Sequence, residues 1–248
     1  MAKVLIVGAT SAIAQEVARL HAEAGDELYL LGRSATKLDG LAKELGRAHV
    51  GSESADFDDL AGNAKRVERA LEVLGHVDVA FVAHGWLGDQ LESERDGMHA
   101  AAIITTNLTS VVSFVVPLAN LLEAQGRGSL VVLSSVAGDR GRPRNYTYGA
   151  AKGALTLYLQ GVRSRLYKTT PRARVVTVRL GPVDTPMTVD HPKNPLFAEP
   201  VPIARAIVAA ESRGALDVYL PWYWQPIMAT VKNLPEQLFQ RLSFLSKR

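Results

Sequence analysis

One stretch, SSVAGDRGRPRNYTYGAAKGAL (134–155), holds residues whose types and spacing could move a proton. Ser135 closes an apolar run, Tyr148 follows thirteen residues later, and Lys152 four after that. If 148–163 is helical, residues four apart share a face one turn from each other, so the phenol and the ammonium point together. An ammonium beside a phenol favours the phenolate and draws its pKa down from about 10 toward the working range. Such a tyrosine can exchange a proton with a carbonyl oxygen, and Ser135, held at a strand end, can hydrogen-bond the same oxygen. The alternative leaves Tyr148 as an aromatic on a helix surface and Lys152 as a solvated charge.

A sheet must hold these residues in place. Short apolar runs recur along the chain: KVLIVG (3–8), ELYLLG (27–32), HVGS (49–52), DVAFVAHG (78–85), SLVVLSS (129–135), RVVTVRLG (174–181) and DVYLP (217–221). Most are continuous rather than alternating, as in strands covered on both faces. Helical periods lie between them; Ile13, Val17, Leu20 and Ala24 share one face, and Gly25 follows as a stop. This alternation, with right-handed crossovers, implies an α/β fold: a Rossmann-type doubly wound parallel sheet of about seven strands, forming a single domain over residues 1–220. Ligands of such sheets bind beyond the carboxyl ends of the strands, where strand order reverses. The first of those ends is VGATSAIA (7–14). Gly8 and the N–H groups of Ser11, Ala12 and Ile13 could face a pyrophosphate there, although a plain strand-to-helix turn reads the same way.

Composition narrows the classes. With 248 residues, 47% of them apolar and 21% charged, the chain is long enough for one large domain. It has no cysteine, which excludes disulfides and thiolate metal sites and suits a cytoplasmic setting; no metal site is expected. MAKVLIVG enters a strand pattern directly, so no leader is expected, and no run is expected to approach the roughly 18 apolar residues of a membrane span. The net charge of +3 is carried entirely from Pro221 onward, by Lys232, Arg241, Lys247 and Arg248 against Glu236. The body is therefore neutral and lacks a basic stripe interleaved with aromatics, which argues against nucleic acid as a partner.

Taken together, Ser135, Tyr148, Lys152 and the continuation GAAKGA (149–154) closely resemble the active-site segment of the short-chain dehydrogenases/reductases. The resemblance implies catalysis by Ser135, Tyr148 and Lys152, with Asn107 in TTNLTS as a fourth member relaying protons through a water; a structural cap is the other reading of Asn107. It also implies a dinucleotide held by Gly8 and Thr10 to Ile13, by Asp56 and Phe57 at the adenine, by Ala83, His84 and Gly85, by Tyr148 and Lys152, and by RLGPVDTPM (179–187) at the nicotinamide. In that last segment Gly181 and Val183 would offer backbone and Thr185 its hydroxyl. Cofactor choice follows from LYLLGRSATKL (28–38): Arg33 stands where an NAD site would carry an acid, and no acid precedes Asp39, so NADPH is expected, unless Arg33 simply faces solvent. The chain departs from the family in two places. VAHG replaces the usual Asn-Asn-Ala-Gly, putting His84 where a small residue is normal, and Ala12 and Ala14 replace two glycines of the opening turn. His84 is expected to pack beside the cofactor or shape the substrate site rather than to carry protons.

The segment 221–248 reads as an amphipathic basic tail. Trp222, Tyr223 and Trp224 precede a second helical start at Pro235, after which Leu238, Leu242 and Leu245 form an apolar face with Phe239 beside it. Such a tail could lie in a membrane interface, or pack on the body or in an oligomer contact. With DVAFVAHGWLGDQ (78–90) and GDRGRPRN (138–145), it resembles a narrower branch, the reductases of decaprenylphosphoryl 2-keto-erythro-pentofuranose. That resemblance implies a keto-sugar on a polyprenyl phosphate, met at the inner face of the membrane, and the wider family implies a homo-oligomer. Two other readings stay open: a soluble reductase of small ketones or 3-oxoacyl thioesters, and a non-catalytic NAD(P)H sensor.

Overall fold

In the computed structural model, which describes residues 1–189 and 192–242, the seven apolar runs become seven parallel strands: β1 (Lys3–Val7), β2 (Glu27–Gly32), β3 (His49–Ser54), β4 (Val79–Val82), β5 (Gly128–Ser135), β6 (Ala173–Leu180) and β7 (Asp217–Leu220). Their order is β3-β2-β1-β4-β5-β6-β7, so the order reverses between β1 and β4. The crevice expected of a doubly wound sheet opens there. Strand β1 shows why the runs are continuous: Val4 and Ile6 face one layer, Leu5 and Val7 the other, and all four are fully buried.

Helices α1 (Ala12–Glu23), α2 (Ala35–Leu45) and α8 (Pro200–Ser212) cover one face of the sheet. The other face is covered by α3 (Leu60–Leu74), α6 (Ser110–Gln125) and α7 (Tyr146–Thr169). Short helices α4 (Gln90–Ser93) and α5 (Gly97–Ile104) follow the loop after β4. That strand is shorter than expected, and residues 83–89 form loop instead.

A wider π turn, Thr105–Thr109, joins α5 to α6, so that Gly97–Gln125 is one helical stretch with a mean hydropathy of 1.7 over 18 residues. This corrects the expectation that no run approaches a membrane span in length and apolarity. The apolar residues have an internal use, since Ile103, Val111, Phe114, Leu118 and Leu122 are buried against the sheet and its neighbouring helices.

The chain after β7 folds back onto the body. Helix α9 (Trp224–Asn233) and the short α10 (Glu236–Arg241) bury Trp224, Met228, Val231 and Phe239 around Val136, directly after β5. Arg140 holds the turn between them, donating to the carbonyls of Val231, Lys232 and Leu234 at 3.0, 3.3 and 2.6 Å and lying 4.2 Å over the Phe239 ring. The expected apolar face is therefore revised: Phe239 is 2% exposed and Leu238 46%, because the clamp turns Phe239 inward. Leu245, Lys247 and Arg248 lie outside the described residues.

Candidate active site

The segment expected to be catalytic is set by glycines. Gly149 and Gly153 lie four apart on α7, and a Cβ on either would stand 2.7 Å from the Ala137 carbonyl or 2.8 Å from that of Gly138. Their absence of side chains lets α7 pack directly on the turn after β5. The buried Ser134 hydroxyl fastens the same contact, lying 3.1 Å from the Lys152 carbonyl oxygen and 2.8 Å from Thr156 Oγ1. Ser135, Tyr148 and Lys152 consequently line one cavity of about 640 Å³ at the carboxyl ends of the strands.

Within it, Ser135 Oγ accepts from the Ala137 N–H at 3.1 Å and donates to the Leu180 carbonyl at 3.4 Å. Lys152 is 3% exposed and donates to the Leu133 carbonyl at 3.0 Å, its Nζ 5.8 Å from the Tyr148 ring centre. Burial lowers the Lys152 ammonium to about 8. The Tyr148 phenol is not depressed as expected: burial pushes it up to about 12, outweighing the lowering influence of the Ser135 hydroxyl beside it. The ammonium is turned to a carbonyl rather than to the phenol, and the phenol is left protonated near neutrality.

Asn107 is fully buried in the π turn. Its Nδ2 donates to the carbonyls of Ile103 and Trp86 at 2.8 and 2.5 Å, and its Oδ1 accepts from the Trp86 N–H at 3.1 Å. It is thus a cross-link to the loop after β4 rather than a helix cap. A Cβ on Gly85 would stand 2.9 Å from Asn107 Oδ1 and 3.5 Å from Lys152 Nζ, so a glycine there leaves open the space between the two side chains.

His84 is 8% exposed and packs edge-on against Phe57 and Phe114. Ser110 donates to the Phe57 carbonyl at 2.9 Å, so its oxygen accepts from His84 Nε2, also at 2.9 Å. This network assigns the proton to Nε2. Burial, with Lys152 and Arg33 nearby, lowers the ring to about 3. His84 is neutral at physiological pH and shapes the cavity wall.

The opening turn is tight and its glycine is required. Gly8 has φ +83°, and a Cβ there would stand 2.6 Å from the His84 backbone nitrogen. Ser11 caps α1 through its hydroxyl, 3.3 Å from the Ala14 N–H, while its own N–H returns to the Gly8 carbonyl at 3.0 Å. The expectation that the Ser11 N–H faces a ligand is corrected by that bond, which leaves the N–H groups of Ala12 and Ile13 at the helix start. Thr10 through Ile13 line the cavity. Ala14 is fully buried in the core, so of the two alanines that replace glycines only Ala12 borders the cavity.

Other expected residues are placed less uniformly. Ala83, Gly85, Val183 and Thr185 line the cavity. So does Gly181, but its N–H is taken by the Leu220 carbonyl at 2.9 Å. What Gly181 supplies is room, since a Cβ there would stand 2.0 Å from the Trp224 indole nitrogen. Asp56 is exposed and Phe57 turns its ring into the core; neither is among the lining residues. Arg33 is exposed just outside the lining, whereas Lys37, four residues later on α2, is within it. Sequence reasoning missed Lys37, Arg142, Arg144 and Trp224 as lining residues. The i, i+4 spacing from Arg33 could have marked Lys37; nothing local marks the others.

Residues 2–195 match the short chain dehydrogenase family. An uncharacterized oxidoreductase of Mycobacterium tuberculosis H37Rv is 36% identical over 244 residues, covering 97% of each chain. Another, from Streptomyces coelicolor, is 33% identical over 240 residues, covering 96% of this chain and 94% of its own. A short chain dehydrogenase from Burkholderia cenocepacia, solved in complex with NADP, superposes with a TM-score of 0.82 over 97% of both chains at 21% identity and shares the fold. With the match spanning most of the sheet and the whole catalytic segment, this chain belongs to the short-chain dehydrogenase family and is an NAD(P)-dependent oxidoreductase.

Proposed function

We propose that the chain is a carbonyl reductase that uses NADPH. The observation that carries this reading is the meeting of Ser135, Tyr148 and Lys152 on one cavity that Thr10 to Ile13, the residues following Gly8, also line. Bound NADPH supplies the hydride that reduces the carbonyl carbon. Tyr148, protonated near neutrality because burial raises it to about 12, donates its proton to the carbonyl oxygen, so that ketone, NADPH and one proton give alcohol and NADP. Ser135 orients that oxygen by hydrogen bonding. Lys152 supplies a replacement proton toward Tyr148, and Asn107, whose Oδ1 borders Gly85 as Lys152 Nζ does, holds a water that relays protons to the lysine. A preference for NADPH is supported by Arg33 and Lys37 beyond β2, where no carboxylate precedes Asp39, and by the NADP complex of the Burkholderia protein.

The test is NADPH consumption over a panel of keto-sugars, acyl thioesters and simple ketones. Tyr148→Phe is expected to lower kcat by about 10²–10⁴-fold while NADPH binding, read by fluorescence, stays near wild type. A variant with the wild-type rate overturns the assignment. Absence of any carbonyl-dependent consumption by the wild type favours a dinucleotide sensor.

The narrower reading, a keto-sugar on a polyprenyl phosphate reduced at the inner face of the membrane, is supported by the resemblance of 78–90, 138–145 and the tail, and by the exposed Trp222. A homo-oligomer is supported by Leu157 and Tyr167, which leave α7 with 70% and 75% exposure.

A further inference from the structure

The turn that follows β5 starts from Ser135 and ends on a buried acid. Asp139 closes the tight turn Val136–Asp139, and its side chain is 2% exposed. One of its carboxylate oxygens accepts from Arg179 on β6, and the other accepts from the Tyr219 hydroxyl on β7 at 2.8 Å. Arg179, 8% exposed, also grips Asp217 at the start of β7 through two parallel hydrogen bonds, from Nε at 2.8 Å and from Nη2 at 2.7 Å. Two carboxylates, a guanidinium and a phenol thus form one connected set that ties the turn to two strands. None of the four lines the cavity, so the set serves the site through something else.

A buried ionic set gains little stability over apolar packing of the same volume. What a fully bonded set supplies is one fixed geometry, and Ser135 is the residue that needs it. Its Oγ donates to the Leu180 carbonyl at 3.4 Å and accepts from the Ala137 N–H at 3.1 Å. A bound ketone takes over the donated proton, which leaves the Ala137 N–H to aim the oxygen. Pairing with Leu180 fixes the Ser135 backbone at the end of β5, but the direction of the Ala137 N–H is set by the turn. Contact with α7 stops the turn from approaching that helix, whereas the bonds of Asp139 hold it to β6 and β7.

We propose that Asp139 is a positioning residue for the reduction: held by Arg179 and Tyr219, it fixes the turn whose Ala137 N–H aims the Ser135 hydroxyl at the substrate's carbonyl oxygen. This inference rests on the reading of the site as a carbonyl reductase. It gives the buried set beside the cavity a part in the chemistry without contact with the substrate.

The test is a double-mutant cycle with Ser135, read on the single-turnover rate of NADPH oxidation by a ketone that wild type reduces. Asp139→Ala leaves Arg179 bonded to Asp217, so no guanidinium is stranded and the fold is expected to survive. It should slow hydride transfer about tenfold or more through misplacement of Ser135, with the Kd for NADPH near wild type. Asp139→Asn, which keeps an acceptor for Arg179, should recover most of that loss. In the Ser135→Ala background the Asp139→Ala change should cost less than about twofold, because no hydroxyl remains to be aimed. Hydrogen exchange over residues 134–140 in NADP-saturated protein supplies a readout without turnover: Asp139→Ala should exchange there about tenfold faster than wild type, and Asp139→Asn close to wild type. Should Asp139→Ala fail to bind NADPH, Tyr219→Phe takes its place in the cycle and in the exchange measurement, with smaller effects of the same sign. Equal losses in the two Ser135 backgrounds, as a merely structural role gives, or unchanged exchange over 134–140, overturn the role of Asp139 and leave the reductase reading standing. Wild type that reduces no ketone sinks that reading, and the positioning role with it.

Discussion

Lys152 is the residue whose environment departs furthest from what its spacing suggests. Buried at 3% exposure and bonded to one carbonyl, its ammonium titrates near 8 in the fold, against about 10.4 in an unfolded chain. Between those values the unfolded state binds more protons, so stability rises with pH across that window; as pH falls through 8 the contribution is lost. Tyr148, raised to about 12, works in the opposite sense only above about 10, where an unfolded tyrosine ionises. Urea unfolding at pH 7, 8, 9 and 10 checks the sign. Wild type should gain stability from pH 8 to 10 relative to Lys152→Met, and the variant should be the more stable at pH 7, by about 3 kcal/mol at most. A variant no more stable at pH 7, with the same slope as wild type, would contradict the assigned burial. The same comparison shows why the site is costly to maintain: the group proposed to serve proton transfer is one whose charged form the fold, by itself, disfavours.

At the scale of elements, the decisive contact is α7 against the turn after β5. Gly153 and Gly161 both lie on α7, yet a Cβ on the first meets the Gly138 carbonyl at 2.8 Å, and one on the second meets nothing within 4 Å. Gly161→Ala should therefore stabilise by about 0.5–1 kcal/mol through helix propensity and reduced freedom of the unfolded chain. Gly153→Ala has to displace backbone, so it should destabilise by about 1–3 kcal/mol and lower turnover, because Ser135 and Tyr148 sit on the two pieces being pushed apart. Thermal unfolding and NADPH consumption on both variants check this, and equal effects would show that the contact does not set the site. The alternation of strands and helices that makes this contact possible was legible in the sequence, because continuous apolar runs and 3.6-residue periods are local signals. The π turn that buries Asn107 was not, since TTNLTS carries nothing to distinguish it from an ordinary helix.

Across the whole molecule, the tail is the part whose reading changed most. Its charge is legible from composition: the net +3 lies beyond Pro221. Its apolar residues divide in a way that composition does not show. Trp224 and Phe239 complete the body beside the site, while Trp222 and Leu238 stay outside, at 75% and 46% exposure. The proposed membrane contact therefore rests on the outward pair and the basic residues. Intact chain should co-sediment with phosphatidylglycerol-containing vesicles in a salt-sensitive way, and Trp222→Ala with Leu238→Ser should lower the bound fraction without moving Tm. No binding by the intact chain, or equal binding by both, would count against it. The same division separates what each level determines. Spacing along the chain determines the sheet, the Ser135–Tyr148–Lys152 set and the Gly8 turn, because each depends on neighbours within a few turns or on a strand end. Whether a charged or polar group is free or engaged is decided only in the fold. Asp139 is engaged by Arg179, 40 residues away, and by Tyr219, 80 residues away, and hydrogen bonds over such separations leave no trace in local sequence.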